Sequence, residues 1–312
     1  LHIIAGIGIT SFLVFGGVIA YFILTLQDVA SSTQEELARG EKSEKRVEAV
    51  SPSKDNISIL FLGVDDRSGE LKGRTDAMIL ATFNRDLGTI KLVSIPRDSL
   101  VDIPGRKNKD KINHAHAFGG VDLAIETVEQ LFDIPVDYYV KLNFVAFVEI
   151  VDALGGIEVD VPFTFTEMDS NDNQHAITIR EGRQTLNGEE ALAYARMRKK
   201  DPRGDLGRGE RQQEIIKAII KKGASLSSIT SYDDVLKSIE NHMSTNLTFG
   251  NMIALHSYAD SLNEIESLTL EGRNIRRNGI SYYELDPDSV AEISAKLQSH
   301  LELASADLGT ES

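Results

Sequence analysis

Four short motifs hold acids and arginines that could do phosphoryl chemistry together. The first is Gly63-Val64-Asp65-Asp66-Arg67, the second Arg74-Thr75-Asp76 and the third Ser94-Ile95-Pro96-Arg97-Asp98. The fourth is the stretch Tyr194–Gln212. It sets Arg196, Arg198, Lys199, Lys200, Arg203, Arg208 and Arg211 against Asp201, Asp205 and Glu210. Seven basic residues against three acids give it a local charge of +4, in a chain whose formal net charge is −15. Arginine forks match phosphate oxygens. Paired carboxylates offer Mg²⁺ the hard oxygen ligands it prefers, while water and phosphate keep its other positions. No G-x-S-x-G elbow, Walker A loop or H-E-x-x-H helix accompanies them. A cation with arginines and no covalent nucleophile points to direct phosphoryl or phospho-glycosyl transfer, in which positioning and charge neutralisation carry the catalysis.

The elements around these motifs decide whether they meet. Ile57–Leu62, Met78–Phe83 and Thr89–Ile95 are short apolar, β-branched runs bounded by Gly, Asp or Pro, and read as strands. The first motif follows the first strand and the second precedes the next, so an antiparallel hairpin would bring Asp65 beside Asp76. Charged residues at strand ends are site candidates in open α/β sheets. The plainer alternative is turn chemistry, with Arg67 and Arg74 neutralising the two aspartates. Helical spacing marks Val121–Phe132 and Phe144–Leu154, and Tyr138–Leu142 and Ile157–Val161 read as strands. Asn187 with Glu190 is a capping box that opens a helix through Met197. Arg196 and Arg198, two apart at its end, share no helical face, but in an extended exit both can turn to one ligand.

Arg208–Lys222 reads as the next helix, with Gln212 on the face of Arg208. Arginines at a helix N-terminus favour an anion twice over, through the guanidinium forks and the free backbone N–H groups. A solvated basic loop is the alternative, and Lys199, Lys200 and Arg203 fit it. His114 and His116, beside Lys111, read as surface or fold residues rather than metal ligands. Weaker helices at Tyr232–Asn241 and Gly250–Leu262, strands at Glu266–Leu270 and Ser281–Leu285 and a helix at Ser289–Leu301 complete the chain. Strands and helices mix without a break in composition, which argues for one α/β domain.

The chain has 312 residues, 41% hydrophobic and 26% charged, an ordinary globular composition. Its acidity disfavours nucleic acid as a partner. With no Cys, disulfides and thiolate metal sites are excluded. Ile3–Leu26 is 24 residues without a charge. As a helix it would be about 36 Å long, enough to cross a bilayer and longer than a signal-peptide core. An uncleaved anchor is expected. Arg39, Lys42, Lys45 and Arg46 follow it, which read alone would hold the bulk of the protein in the cytoplasm. The chain opens on Leu1 rather than Met, so a preceding cytoplasmic segment is expected and that orientation is set aside. Residues 27–56, rich in Ser, Glu and Lys, read as a stalk or linker, and residues 304–312 as a loose tail.

Taken in order, the motifs resemble the LytR-CpsA-Psr family of bacterial cell-wall proteins. The resemblance adds Lys111-Ile112-Asn113 with Gly119-Gly120, Asp152-Ala153-Leu154-Gly155-Gly156, and Ala191-Leu192-Ala193-Tyr194-Ala195-Arg196-Met197-Arg198 followed by Gly204-Asp205, Arg208 and Arg211-Gln212-Gln213. It spans roughly Ile57–Lys222 and is specific only as a set. It implies a single three-layer α/β/α domain with a central mixed β-sheet over 57–303, outside the cell behind a transmembrane helix at 1–26.

It also implies an enzyme that moves a polyprenyl-pyrophosphate-linked glycopolymer, such as a teichoic acid or capsular polysaccharide, onto peptidoglycan. The expected acceptor is the C6 hydroxyl of N-acetylmuramic acid. By matching position, Asp65 and Asp76 are the expected ligands of Mg²⁺, with Mn²⁺ as an alternative. Arg74, Arg97, Arg196, Arg198 and Gln212 are the expected pyrophosphate clamp, with Arg67, Arg208 and Arg211 as supporting members. Asp98 and Asp205 are candidate bases for the attacking hydroxyl. The lipid tail is expected in an apolar tunnel that Val121–Phe132, Phe144–Leu154 and Ile215–Ile220 could line. A hydrolase acting on the same lipid and an anchored regulator without enzymatic activity are the rival readings. Product analysis with and without a glycan acceptor separates the hydrolase from the transferase.

Overall fold

The computed structural model describes residues 31–65, 71–198, 200–224, 242–255 and 264–303. The expected anchor Ile3–Leu26, the helix at Tyr232–Asn241, the tail from residue 304, Arg67 and Lys199 lie outside the described residues. Among the described residues no helix is long and apolar enough to cross a membrane.

The strands, in chain order, are β1 (Ile57–Val64), β2 (Thr75–Asn84), β3 (Thr89–Ser94), β4 (Leu100–Val101), β5 (Asp110–Lys111), β6 (Tyr138–Asn143), β7 (Ile157–Val161), β8 (Phe165–Glu167), β9 (Ile177–Ile179), β10 (Gly182–Leu186), β11 (Met243–Thr245), β12 (Ile265–Thr269), β13 (Gly272–Arg277) and β14 (Ile280–Leu285). The described helices are α1 (Asn113–Phe132), α2 (Phe144–Ala153), α3 (Gly188–Arg196), α4 (Asp205–Ala224), α5 (Phe249–Leu255) and α6 (Pro287–His300). A six-stranded sheet in the order β11-β6-β1-β2-β3-β12 forms the centre. It is mixed: β1 pairs antiparallel with β2 and parallel with β6, and β12 runs parallel to β3.

Alternation along the strands sends side chains to two faces. Leu60, Leu62, Met78, Leu80 and Val93 face α1 and α6 and join Ala124, Val128, Phe132, Ile293 and Leu297 in the largest core cluster. Ile59, Ile79, Ala81 and Leu92 face the other way, where Ile216 of α4 and Met252 of α5 approach. Beside that second face, β7, β10, α2, α3 and α4 enclose a separate cluster around Ile157, Phe165 and Tyr194. The predicted capping box opens α3: Asn187 accepts from the Glu190 N–H at 2.9 Å, and Glu190 accepts from the Asn187 N–H at 2.9 Å. Helix α1 begins eight residues before the predicted start, at Asn113. Gly119 and Gly120 sit inside it with non-helical angles. The periodicity from Val121 onward therefore marks only the part beyond the kink.

The segment read as a stalk is docked from residue 31 onward, which corrects that reading. Gln34 bridges Thr245 at the edge of β11, and the Glu35 N–H bonds the Thr245 carbonyl at 2.8 Å. Leu37 enters the main core. Arg39 donates to Glu129 at 2.8 Å, and Ser43 to the same carboxylate at 2.7 Å. Arg46 grips both oxygens of the buried Asp137, at 2.9 and 2.8 Å. These charged residues looked solvated because each partner lies some 85 residues or more away, on α1 or just before β6. The Glu35 carboxyl sits below its ordinary pKa because it accepts from Ser244, with Lys141 adding to the effect.

Candidate active site

The predicted hairpin forms between β1 and β2. Val64 pairs with Thr75 after a register shift at Gly63/Val64. Asp65 leaves the end of one strand as Asp76 enters the other, and both line a polar cleft of about 680 Å³. Arg74, Arg97, Asp98, Lys111, Asn113 and Arg198 share its walls. Arg97 arrives from the turn after β3 and donates from Nη1 to Asp76 Oδ1 at 2.6 Å. Lys111 of β5 holds Asp98 through Nζ at 2.7 Å. Backbone bonds tie the two motifs together, from the Ile112 N–H to the Ser99 carbonyl at 2.9 Å and from the Asn113 N–H to the Arg97 carbonyl at 3.3 Å. On α1, buried His116 sits 2.8 Å from the Gly73 carbonyl through Nδ1. Only a protonated Nδ1 can donate to a carbonyl, so this nitrogen carries the hydrogen. Burial holds the pKa of His116 below its ordinary value. It is a fold residue, as expected, but one that steadies the residue before Arg74.

A second cavity, of about 570 Å³, opens beside the cleft. Phe61, Ile79, Val140, Phe147, Ile215 and Ile219 are among its apolar walls, while Asp76, Arg97, Arg196, Arg198, Arg208 and Gln212 stand at its polar end. Helices α2 and α4 contribute the lining expected of them. Helix α1 does not: Val121–Phe132 packs on the opposite face of the sheet, which corrects that expectation. Periodicity gave each helix an apolar side without saying which face of the sheet it meets.

The basic stretch divides along its length. Arg196, at the end of α3, stacks over the Phe144 ring at 5.0 Å and donates to the Asp169 carbonyl and the Asp172 carboxylate, each at 3.3 Å. Arg198 is exposed and lines both cavities. Helix α4 brings Arg208 and Gln212 to the junction. Gly209 permits this closeness, because a Cβ there would lie 2.8 Å from Ser94 Oγ at the end of β3. Arg211 is not a member of the clamp. It is buried, donating to the Tyr194 carbonyl at 3.1 Å and also to the Met197 carbonyl and Asp201. That clasp splices the end of α3 to α4, which sequence spacing alone did not reveal. Arg203 pairs with Glu210 at 2.5 Å and Lys200 is exposed. Asp205 opens α4, and its side chain is outside the described residues.

Sequence reasoning missed one wall of the cleft. Asn274, Ser281 and Tyr282, from the β13–β14 hairpin, line it with the motif residues. They carry no charged signature, and only the Tyr-Tyr pair in β14 could have drawn notice.

Asp65 and Asp76 suit a hard divalent cation: both are oxygen-only donors, on paired strand ends, in one cleft. The Arg97 contact shows that Asp76 already draws a positive partner. Among the described residues no cluster of three or more His, Cys, Asp or Glu could hold a metal, so protein carboxylates alone would leave most positions to water and substrate oxygens.

A family model described as the LytR_cpsA_psr family matches residues 20–299. A Bacillus subtilis protein named polyisoprenyl-teichoic acid–peptidoglycan teichoic acid transferase TagU is 44% identical over 288 residues, covering 92% of this chain and 91% of that protein. A solved structure described as TagT bound to LI-WTA superposes with TM-score 0.73 at 41% identity, covering 86% of this chain and 99% of that one. Another, described as a LytR-CPS2A-psr family protein, YwtF (TagT), with bound octaprenyl pyrophosphate lipid, gives TM-score 0.69 at 39% identity over 86% and 99% of the two chains.

Proposed function

The chain belongs to the LytR-CpsA-Psr family, and on that premise we propose that it transfers a teichoic acid from a polyprenyl pyrophosphate carrier to peptidoglycan. The observation that carries this reading is the junction of the two cavities. Asp76, Arg97 and Arg198 line both the polar cleft and the apolar cavity. A molecule with an apolar tail and an anionic head fits across that junction, tail among Phe61, Phe147 and Ile219, head among the arginines. The Bacillus subtilis proteins TagU and TagT are both named polyisoprenyl-teichoic acid–peptidoglycan teichoic acid transferases, and a TagT structure holds octaprenyl pyrophosphate.

The chain's residues supply binding and charge. Arg97, Arg74 and Arg198 neutralise the pyrophosphate from the cleft side, and Arg196, Arg208 and Gln212 gather it from the cavity side. Lys111 fixes Asp98 on the cleft wall, where its carboxylate can accept the proton of an entering hydroxyl. Asp205 is the second candidate for that proton. The acceptor oxygen, by family resemblance the C6 hydroxyl of N-acetylmuramic acid, bonds to the polymer-side phosphorus. The bond from that phosphorus to the oxygen of the polyprenyl phosphate breaks, and polyprenyl phosphate leaves. Asp65 and Asp76 would hold Mg²⁺, or Mn²⁺, which when bound supplies Lewis-acid stabilisation of phosphate oxygens. The outward-facing orientation and an anchor at Ile3–Leu26 belong to the same reading.

The test is transfer of labelled polymer from lipid donor to glycan by the full chain. Asp76→Ala should lower transfer about 100-fold or more, the scale of losing a main electrostatic contact, with an unchanged unfolding midpoint. Chelation should stop the wild type, and added Mg²⁺ or Mn²⁺ should restore it. A fully active Asp76→Ala protein would refute the site, and label found only in free polymer would favour hydrolysis.

A further inference from the structure

The β13–β14 hairpin lines the polar cleft together with Arg74, Arg97 and Arg198. Asn274 and Ser281 are exposed there, and Tyr282 is half-buried beside them. The hairpin is held firmly to the chemistry. Tyr283 is buried, its N–H donates to the Asp98 carbonyl at 2.9 Å, and it bridges Ser99. Lys111, which holds Asp98, lies 5.6 Å from the centre of the Tyr282 ring. The wall therefore keeps a set distance from the loop that carries Arg97 and Asp98.

In-line displacement makes this wall meaningful. The attacking and leaving oxygens lie on opposite sides of the phosphorus. If the prenyl tail occupies the apolar cavity, the leaving oxygen points there, and the acceptor enters through the polar cleft past the hairpin. The surface it meets has an aromatic ring, an amide and a hydroxyl. A ring gives the C–H face of a sugar an apolar platform with a polar rim. Asn and Ser both donate and accept, as hydroxyls and N-acetyl groups require.

We propose that the β13–β14 hairpin is the acceptor-glycan subsite, with Tyr282 as the platform and Asn274 and Ser281 as hydrogen-bonding partners. The proposal rests on the transferase reading and gives the C-terminal part of the domain a role in choosing the acceptor. It is tested with the full chain in detergent, varying an uncrosslinked peptidoglycan glycan at saturating lipid donor for the acceptor KM, and varying the lipid donor at saturating glycan for the donor KM. Tyr282→Ala should raise the acceptor KM about tenfold, the factor that corresponds to 1.4 kcal/mol, and leave the donor KM unchanged. Tyr282→Phe, which keeps the ring, should restore the acceptor KM. The exposed pair Asn274→Ala with Ser281→Ala should raise it as well. An unchanged acceptor KM in both the Tyr282→Ala protein and the double variant overturns the subsite. A rise in donor KM instead also overturns it and assigns the wall to the polymer. Failure of the underlying reading looks different: the wild type itself then transfers to no glycan at any concentration.

Discussion

On one face of the central sheet Leu60, Leu62, Met78 and Leu80 are sealed beneath α1 and α6. On the other, Phe61, Ile79, Val140 and Leu142 border a cavity of about 570 Å³. Both faces are apolar, so burial preference does not distinguish them. The helices do: α1 and α6 lie on the sheet, whereas α2 and α4 also serve the neighbouring cluster around Tyr194. A sealed dry void of this size would cost on the order of 10 kcal/mol at ~24 cal/mol per Å³, comparable with the whole stability of a domain. Walls of Phe, Ile and Val give water few partners. An open face kept apolar is suited to an apolar guest, and the sealed face supplies the stability that permits it.

The contrast can be broken most severely by filling the open side. Ala195→Phe places a ring into the cavity that Ala195 lines. Prenyl pyrophosphate binding should fall about 1,000-fold, with little change in stability, since the volume is already there. Ala124→Phe on the sealed face should do the reverse, destabilising by ~3 kcal/mol through overpacking. Lipid co-purification and denaturant titration of both variants read the two effects, and similar stability losses would erase the distinction.

Smaller deletions should sharpen it. Leu80→Ala, fully buried, should lose ~3 kcal/mol or more. Phe61→Ala, beside existing space, should lose only ~1 kcal/mol, because it forfeits partial burial without making a new void. Urea midpoints at constant m-value separate these outcomes.

The sealed face also carries a pH dependence. His300 of α6 is buried, with Nδ1 2.8 Å from Thr82 Oγ1 and Nε2 2.8 Å from Thr89 Oγ1. Burial first, then Lys91, pushes its pKa down from 6.5 to about 4, against a smaller pull from Glu266. The folded state thus resists the proton that the unfolded chain takes up. Its contribution is complete above the unfolded pKa and is lost as pH falls from about 6.5 toward 4, by about 2–3 kcal/mol. Stability measured across that window should slope, and His300→Gln should flatten the slope.

A further effect, on transfer rather than stability, is expected where the sealed face reaches the site. His116→Ala frees the Gly73 carbonyl and should lower transfer about tenfold, by loosening the approach of Arg74. His116→Asn, which keeps a donor near the Nδ1 position, should recover most of it, while His116→Gln should not. Equal activity in all three would remove His116 from the positioning of the loop.

The parts of this architecture that were legible in sequence are those set by local rules. Strand ends, the β1–β2 hairpin and the Asn187 cap follow from neighbours a few residues apart. They placed Asp65 beside Asp76 in advance, with Arg74 two residues before it, while Arg97 joined that site only through the family resemblance. What sequence could not show depends on distant partners. Arg211 carries the same charge as Arg208, and only the fold reveals that Asp201 and the carbonyls of Tyr194 and Met197 close around it. Helix α1 has an apolar stripe like that of α2, yet it serves the other face. Asn274, Ser281 and Tyr282 have no charge to announce them, and gain meaning only from the loop they abut.

The docked segment at 31–56 changes how far the domain can travel. Read as a free stalk, residues 27–56 would be a leash of 30 residues after Leu26, reaching about 100 Å when extended. With Gln34 to Arg46 clamped onto the sheet edge, α1 and Asp137, that stretch is part of the folded body and adds no free length to a leash.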